Sequence, residues 1–169
     1  AWALTGTPWT YDAARWQALA QVREREAGLM RSFARGSGCL MRFLQEAVLN
    51  FVYKLEEVDT ALVVSFNESV KGSAEFTGDT DRLERFVEGL QAWGGTSLYD
   101  AIHYSLGRIK DQPGRKALIV FSDGEDTTSQ MKEEEVLDYA RAVEASIYAI
   151  GIRGEGGMER ALAALAADP

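Results

Sequence analysis

The chain has 169 residues, a length that one domain with a full hydrophobic core accounts for. A formal net charge of −8 and the lack of any Lys/Arg stripe argue against nucleic acid as a partner; they accord with cation binding or simple solubility. The apolar and charged shares are ordinary for a soluble globular protein, and no apolar run approaches the ~18 residues that a membrane span needs. The first residues lack the basic-then-apolar pattern of a signal peptide, as a mature or excised fragment also would. With one cysteine, Cys39, no internal disulfide forms, and the compartment is left open.

In chain order, AWALTGTPWT (residues 1–10) reads as an aromatic loop. Asp12 precedes a segment rich in helix formers, and Trp16, Leu19, Ala20 and Val22 share one side of a helix from about Ala13 to Glu26, closed by Gly28. Residues 1–27 thus form an N-terminal loop and helix extension, followed by a domain over 28–169. Leu29–Ala34 is a poor short strand, interrupted by Arg31, and Arg35–Cys39 is turn chemistry. From Leu40 to about Lys54, apolar residues recur at three and four, the mark of an amphipathic helix.

Thr60–Phe66 is a nearly all-apolar strand, and Asn67-Glu68-Ser69 is a turn that is also formally a glycosylation sequon. Val70–Phe76 alternates loosely, as an antiparallel edge strand does. A helix over Asp81–Trp93, capped by Asp79 or Thr80, is broken by Gly94-Gly95-Thr96-Ser97. Leu98, Ala101, Ile102, Leu106 and Ile109 define the next helix. Ala117–Phe121 is a strand, Glu133–Ala145 a helix, and Ser146–Ile152 another apolar strand. Gly154–Gly157 is a loop and Met158–Ala166 a short helix. Strands that alternate with helices imply a mostly parallel sheet, with one antiparallel edge strand and helices on both faces.

The most informative stretch is RKALIVFSDGEDTT, residues 115–128. Five consecutive apolar residues without alternation fit a strand buried on both faces. The run stops at Ser122-Asp123-Gly124, placing a carboxylate just past the strand's carboxyl end, the edge where open α/β sheets bind ligands. Alone, Asp123 reads first as a turn or capping residue, and a cation-ligand reading needs partners from elsewhere in the chain. Two further loops open at the same edge, Arg35–Cys39 and Gly94–Ser97. Ser37, Thr96 and Asp123 would then converge as small oxygen donors, the type that hard divalent cations such as magnesium take.

GGTSLYDAI (94–102), ALIVFSDGEDT (117–127), SIYAIGI (146–152) and ALVVSFNE (61–68) together resemble the von Willebrand factor type A domain, especially its bacterial branch. The resemblance covers about Gly28 to Pro169. It implies a Rossmann-like three-layer α/β sandwich with a metal-ion-dependent adhesion site for Mg2+ or another divalent cation. It further implies a protein partner, whose acidic side chain completes the metal's coordination. In the family the site takes Asp-x-Ser-x-Ser after the first strand, a Thr from the Gly-Gly-Thr loop and the Asp of Ser-Asp-Gly. Thr96 and Asp123 match the last two.

The first element departs from the pattern. Arg35-Gly36-Ser37-Gly38-Cys39 is its best register, so Arg35 replaces the acid, Cys39 replaces a hydroxyl, and only Ser37 survives. A guanidinium ligates no metal and can pair with Asp123 instead, and a thiol suits magnesium badly. Metal binding is expected to be weakened or lost, unless the stretch is locally aberrant through a rearranged sequence. The family also places a further strand after a segment like Leu162–Pro169. The resemblance therefore implies a domain short of its last strand, with a sheet edge open to pairing with a second copy. Relatives in the bacterial branch are often exported, which implies an extracellular, periplasmic or cell-surface setting.

Other features carry less. His103 stands without a base–nucleophile partner and reads as packing or surface. Gly154–Gly157 lacks dinucleotide spacing, and Asp123, Glu125 and Asp126 do not make an EF-hand. Two functions of different class remain: a protein-binding module without catalysis, and a metal-dependent hydrolase using Asp123 with Glu125 or Asp126. The hydrolase needs another carboxylate at the edge, for which Asp100 is the candidate, although its place one helical turn beyond Thr96 favours a structural hydrogen bond.

Overall fold

The computed structural model describes residues 2–6, 37–91, 94–122 and 126–151. The elements are β1 (Trp2–Gly6), α1 (Ser37–Val52), β2 (Thr60–Phe66), β3 (Val70–Gly72), α2 (Thr80–Glu88), α3 (Leu98–Ile109), β4 (Arg115–Ser122), α4 (Glu133–Val143) and β5 (Ser146–Gly151). They form a sheet of order β3-β2-β1-β4-β5. β4 and β5 are parallel, and β2 runs the same way, because β1 lies between β2 and β4 and is antiparallel to both.

The expected helix-covered sheet with an antiparallel edge strand is present, and β3 is that strand, pairing Val64 with Gly72 and Phe66 with Val70. One expectation is corrected. Trp2–Gly6 is a strand in the sheet's interior rather than a loop in an extension, with Ala3 opposite both Leu62 and Leu118. Five residues ending in glycine carry no periodic signal of their own. Their conformation follows from two flanking buried strands whose facing N–H and C=O groups must find partners. The expected helix over Ala13–Glu26, the strand over Leu29–Ala34 and everything after Gly151 lie outside the described residues.

Successive residues of β4 serve opposite faces, which is why its apolar run shows no alternation. Ile119 joins Ala61 and Val63 under α1 and α2, packing with Val48, Val52, Leu83 and Val87. Leu118 and Val120 join Ile147 under α3 and α4, packing with Ile102, Leu106, Ile109, Val136 and Ala140. The Gln45 side-chain amide donates to the carbonyls of Val87 (3.0 Å) and Glu88 (3.2 Å), tying α1 to the last turn of α2. At the far end of α1, the Tyr53 hydroxyl donates to Glu84 Oε1 at 2.5 Å. That bond to a carboxylate raises the tyrosine pKa above its ordinary value.

Boundaries shift for local reasons. α2 stops at Glu88 rather than reaching Trp93, because Gly89 takes the cap and turns its N–H back to Arg85. Asp79 is the N-cap and accepts from Arg82 N at 3.1 Å. β3 ends at Gly72 rather than Phe76. Beyond it, the Ser73 hydroxyl accepts from Val63 N at 3.1 Å, replacing a ladder bond, before Thr77 bridges Ala61. α1 begins at Ser37, so Ser37-Gly38-Cys39 is a first helical turn rather than a loop.

The C-cap of α4 is Glu144 at φ 51°, ψ 44°, a left-handed conformation that a Cβ disfavours. Glu144→Gly is expected to stabilise the protein by about 0.5–1 kcal/mol, read as a higher denaturation midpoint. An unchanged or lower midpoint would show that the exposed Glu144 side chain contributes more than its backbone costs.

Candidate functional site

The carboxyl edge of β2 and β4 is where the sequence places its chemistry. α1 passes through the 53–59 connection into β2, and Val48 and Val52, late in the helix, pack with Ala61 and Val63, early in the strand. The helix therefore runs back along β2. Its sixteen residues at about 1.5 Å each span about the length of the seven-residue strand. Ser37 thus starts α1 at the same edge where Phe66 and Ser122 end their strands. Thr96 is also there, since the neighbouring Ser97 N donates to the carbonyl of Asn67, just past β2, at 2.7 Å. Arg35 and Asp123 lie outside the described residues.

Two segments make up most of the described edge: 94–100, which leads into α3, and 126–131, which leads out of β4. Their backbones are joined directly, as Thr127 N and Thr128 N both donate to the Thr96 carbonyl, at 2.8 and 3.2 Å. Thr96 N in turn donates to Thr127 Oγ1 at 2.8 Å. Ser97, almost fully buried, shares a 2.7 Å hydroxyl–hydroxyl bond with Thr128. Gly94, at φ +76°, and Gly95 let the chain pass close beside Glu68, whose Oε1 accepts from Gly95 N at 3.2 Å.

The start of α3 is capped from outside itself. Its own N-cap, Ser97, spends its hydroxyl on Thr128 and makes no side-chain cap bond. Instead Asp126 Oδ1 accepts from Leu98 N at 2.7 Å and Tyr99 N at 3.3 Å, and Ser129 Oγ accepts from Asp100 N at 3.1 Å. A carboxylate at a helix N-terminus meets both the unpaired N–H groups and the positive end of the dipole. The return contact comes from Asp100, which accepts from Gln130 N at 3.1 Å and Met131 N at 2.9 Å.

Asp100 thus makes the structural hydrogen bond expected of it, although to the 126–131 segment rather than to its own loop. Asp126, entertained as a hydrolytic carboxylate, holds two helix N–H groups and the Ser129 hydroxyl, the last at 2.5 Å. The partners of both residues lie some 30 positions away, so only the folded structure reveals them. His103 packs its ring against Tyr139, with centroids 4.8 Å apart.

As a cation site the donor set is mixed. Thr96 has both its backbone groups engaged, and among the described residues its hydroxyl has no hydrogen-bond partner. Ser37 and Asp123 add oxygen donors of the hard type in sequence, whereas Arg35 and Cys39 do not suit a hard cation. Among the described residues no group of three or more His, Cys, Asp or Glu side chains is placed to hold a metal. No helix among them is long and apolar enough to cross a membrane.

A mixed sheet covered on both faces by helices, with its loops gathered at the carboxyl edge, defines a Rossmann-like α/β sandwich. Within that class the chain belongs to the von Willebrand factor type A domain family, whose model matches residues 32–125, more than half of the chain. Domains of this family commonly mediate protein–protein interaction and adhesion. A similar solved structure is that of the conserved hypothetical protein BatB from Bacteroides thetaiotaomicron, 19% identical, with a TM-score of 0.54 over 66% of this chain and 55% of that one. The chain spans little more than half of that structure's length, and likeness at this identity concerns the fold. No curated protein matches the chain.

Proposed function

We propose that this domain is a non-catalytic binding module that engages a protein partner at the carboxyl edge of its sheet, with cation binding there weakened or lost. The observation that carries the reading is the bracing of the 94–100 and 126–131 segments. It spends Asp100, Asp126, Ser97 and Ser129 on structure, while the Thr96 hydroxyl has no hydrogen-bond partner among the described residues. A hydrolase built on Asp126 or Asp100 would need those same carboxylates for proton transfer, and backbone N–H groups already hold both. Ser37, Thr96 and Asp123 are the residues that would hold a divalent cation, and the bound ion would supply a positive centre for a partner's carboxylate. Arg35, standing where the family has an acid, opposes the cation through its own positive charge and offers a partner carboxylate a second point of attachment.

Calorimetric titration with magnesium and manganese tests the reading on four proteins: the natural chain, Asp123→Ala, Arg35→Asp, and Arg35→Asp with Cys39→Ser. The expected result is weak or undetectable binding in the first two and a gain of at least about tenfold in affinity, about 1.4 kcal/mol, in the last. Tight saturable binding by the natural chain that Asp123→Ala abolishes would show an intact adhesion site and overturn the weakened reading. Equal, undetectable binding in all four would remove the cation from the proposal altogether.

A further inference from the structure

The 94–100 and 126–131 segments satisfy many of one another's backbone groups. The first N–H groups of α3, on Leu98, Tyr99 and Asp100, all donate to side chains of Asp126 and Ser129. In the opposite direction, Thr127 and Thr128 donate to the Thr96 carbonyl, and Gln130 and Met131 donate to Asp100. Only Ser129 N is satisfied from within its own segment, by Asp126 Oδ2 at 3.3 Å. A helix start normally finds its cap in the residue just before it. Here the cap arrives from 28 residues further along the chain, so the helix start and the loop depend on the same hydrogen bonds.

We infer that Asp100 and Asp126 are positioning residues of a reciprocal clasp, through which the Thr96 loop, the first turn of α3 and residues 126–131 open and close as one cooperative unit. The hydroxyl pair Ser97–Thr128 and the Ser129 hydroxyl, which accepts from Asp100 N and donates to Asp126 Oδ1, link the two halves. The inference goes beyond the binding reading, because it holds whether or not the edge takes a cation or a partner. For anything that does bind at Thr96, affinity falls in proportion to the fraction of molecules in which the clasp is open.

Native-state amide hydrogen exchange on the whole chain tests the clasp without any ligand, so its outcome is independent of the titrations. In Asp126→Ala the diagnostic amides are those bonded elsewhere: Gln130 and Met131, whose acceptor is Asp100, and Thr127 and Thr128, whose acceptor is Thr96. Their protection is expected to fall about tenfold, together with that of Leu98 and Tyr99, while amides in β2 and β4 keep theirs. Asp100→Ala is expected to expose Leu98 and Tyr99 in return, and the double variant to add little to either single one. Asp126→Asn, which keeps an acceptor oxygen in place, should give the same pattern more weakly and serves if the alanine variant does not fold. Loss confined to the amides bonded to the replaced carboxylate would overturn the inference, and so would additive effects in the double variant or an equal loss across the sheet.

Discussion

Leu106→Ala is expected to lower the stability of the domain by about 3 kcal/mol, a loss typical of a leucine truncated inside a rigid layer. Leu106 is fully buried, and its neighbours in the cluster under α3 and α4 include Ile102, Ile109, Leu118, Val120 and Val136. They come from three elements that the sheet and helices fix in place, so they close in only partly on the space left behind. The cavity term therefore adds to the lost transfer energy. Urea denaturation should show a lower midpoint with an unchanged slope. A loss below about 1 kcal/mol would mean that α3 shifts to refill the space and that this layer is less rigid than its burial implies.

The second large effect is expected at Gly95. A Cβ built there would lie 2.6 Å from Thr128 Cγ2 and 3.0 Å from Thr127 Oγ1. Both neighbours belong to a segment whose N–H groups are already bonded to Thr96. Gly95→Ala must therefore push the two segments apart, and overpacking of this kind costs about 1–3 kcal/mol. Thr128→Ser removes the obstructing methyl and keeps the hydroxyl that meets Ser97 at 2.7 Å. The double variant is thus expected to recover part of the loss, while Thr128→Ser alone stays near neutral. Additive losses in that cycle would show that the glycine is needed for its backbone rather than for the space beside it. Gly94 is the backbone case, since its φ of +76° lies where side chains are strained.

The two kinds of sensitivity sit in different parts of the molecule. Leu106 reports on the layer that holds the sheet and helices together, and Gly95 reports on the face those layers present. A variant that loosens the face while leaving the denaturation midpoint nearly intact would separate binding from folding, and Asp126→Asn is the mildest such change.

What the residues alone determine here is whatever depends on short-range pattern. The apolar runs Ala61–Val64 and Ala117–Phe121 fit strands buried on both faces of a sheet, and both lie in strands. The three-and-four spacing of Leu98, Ala101, Ile102, Leu106 and Ile109 fits a helix with one buried side, and the observed helix runs from Leu98 to Ile109. The place of Thr96 at the carboxyl edge is legible because it follows Gly-Gly and precedes that helix. Tertiary structure alone decides whatever depends on a partner far along the chain. Trp2–Gly6 carries no strand signal, and it becomes the sheet's interior strand because β2 and β4 leave a line of unpaired backbone groups between them. Asp126 reads as one acid among several in GEDTT, and Asp100 as a first-turn acid of α3. Each becomes a clasp only when folding brings segments about 30 residues apart within hydrogen-bond distance. Local propensity acts over a few residues, whereas the demand that every buried polar group find a partner acts across the whole domain.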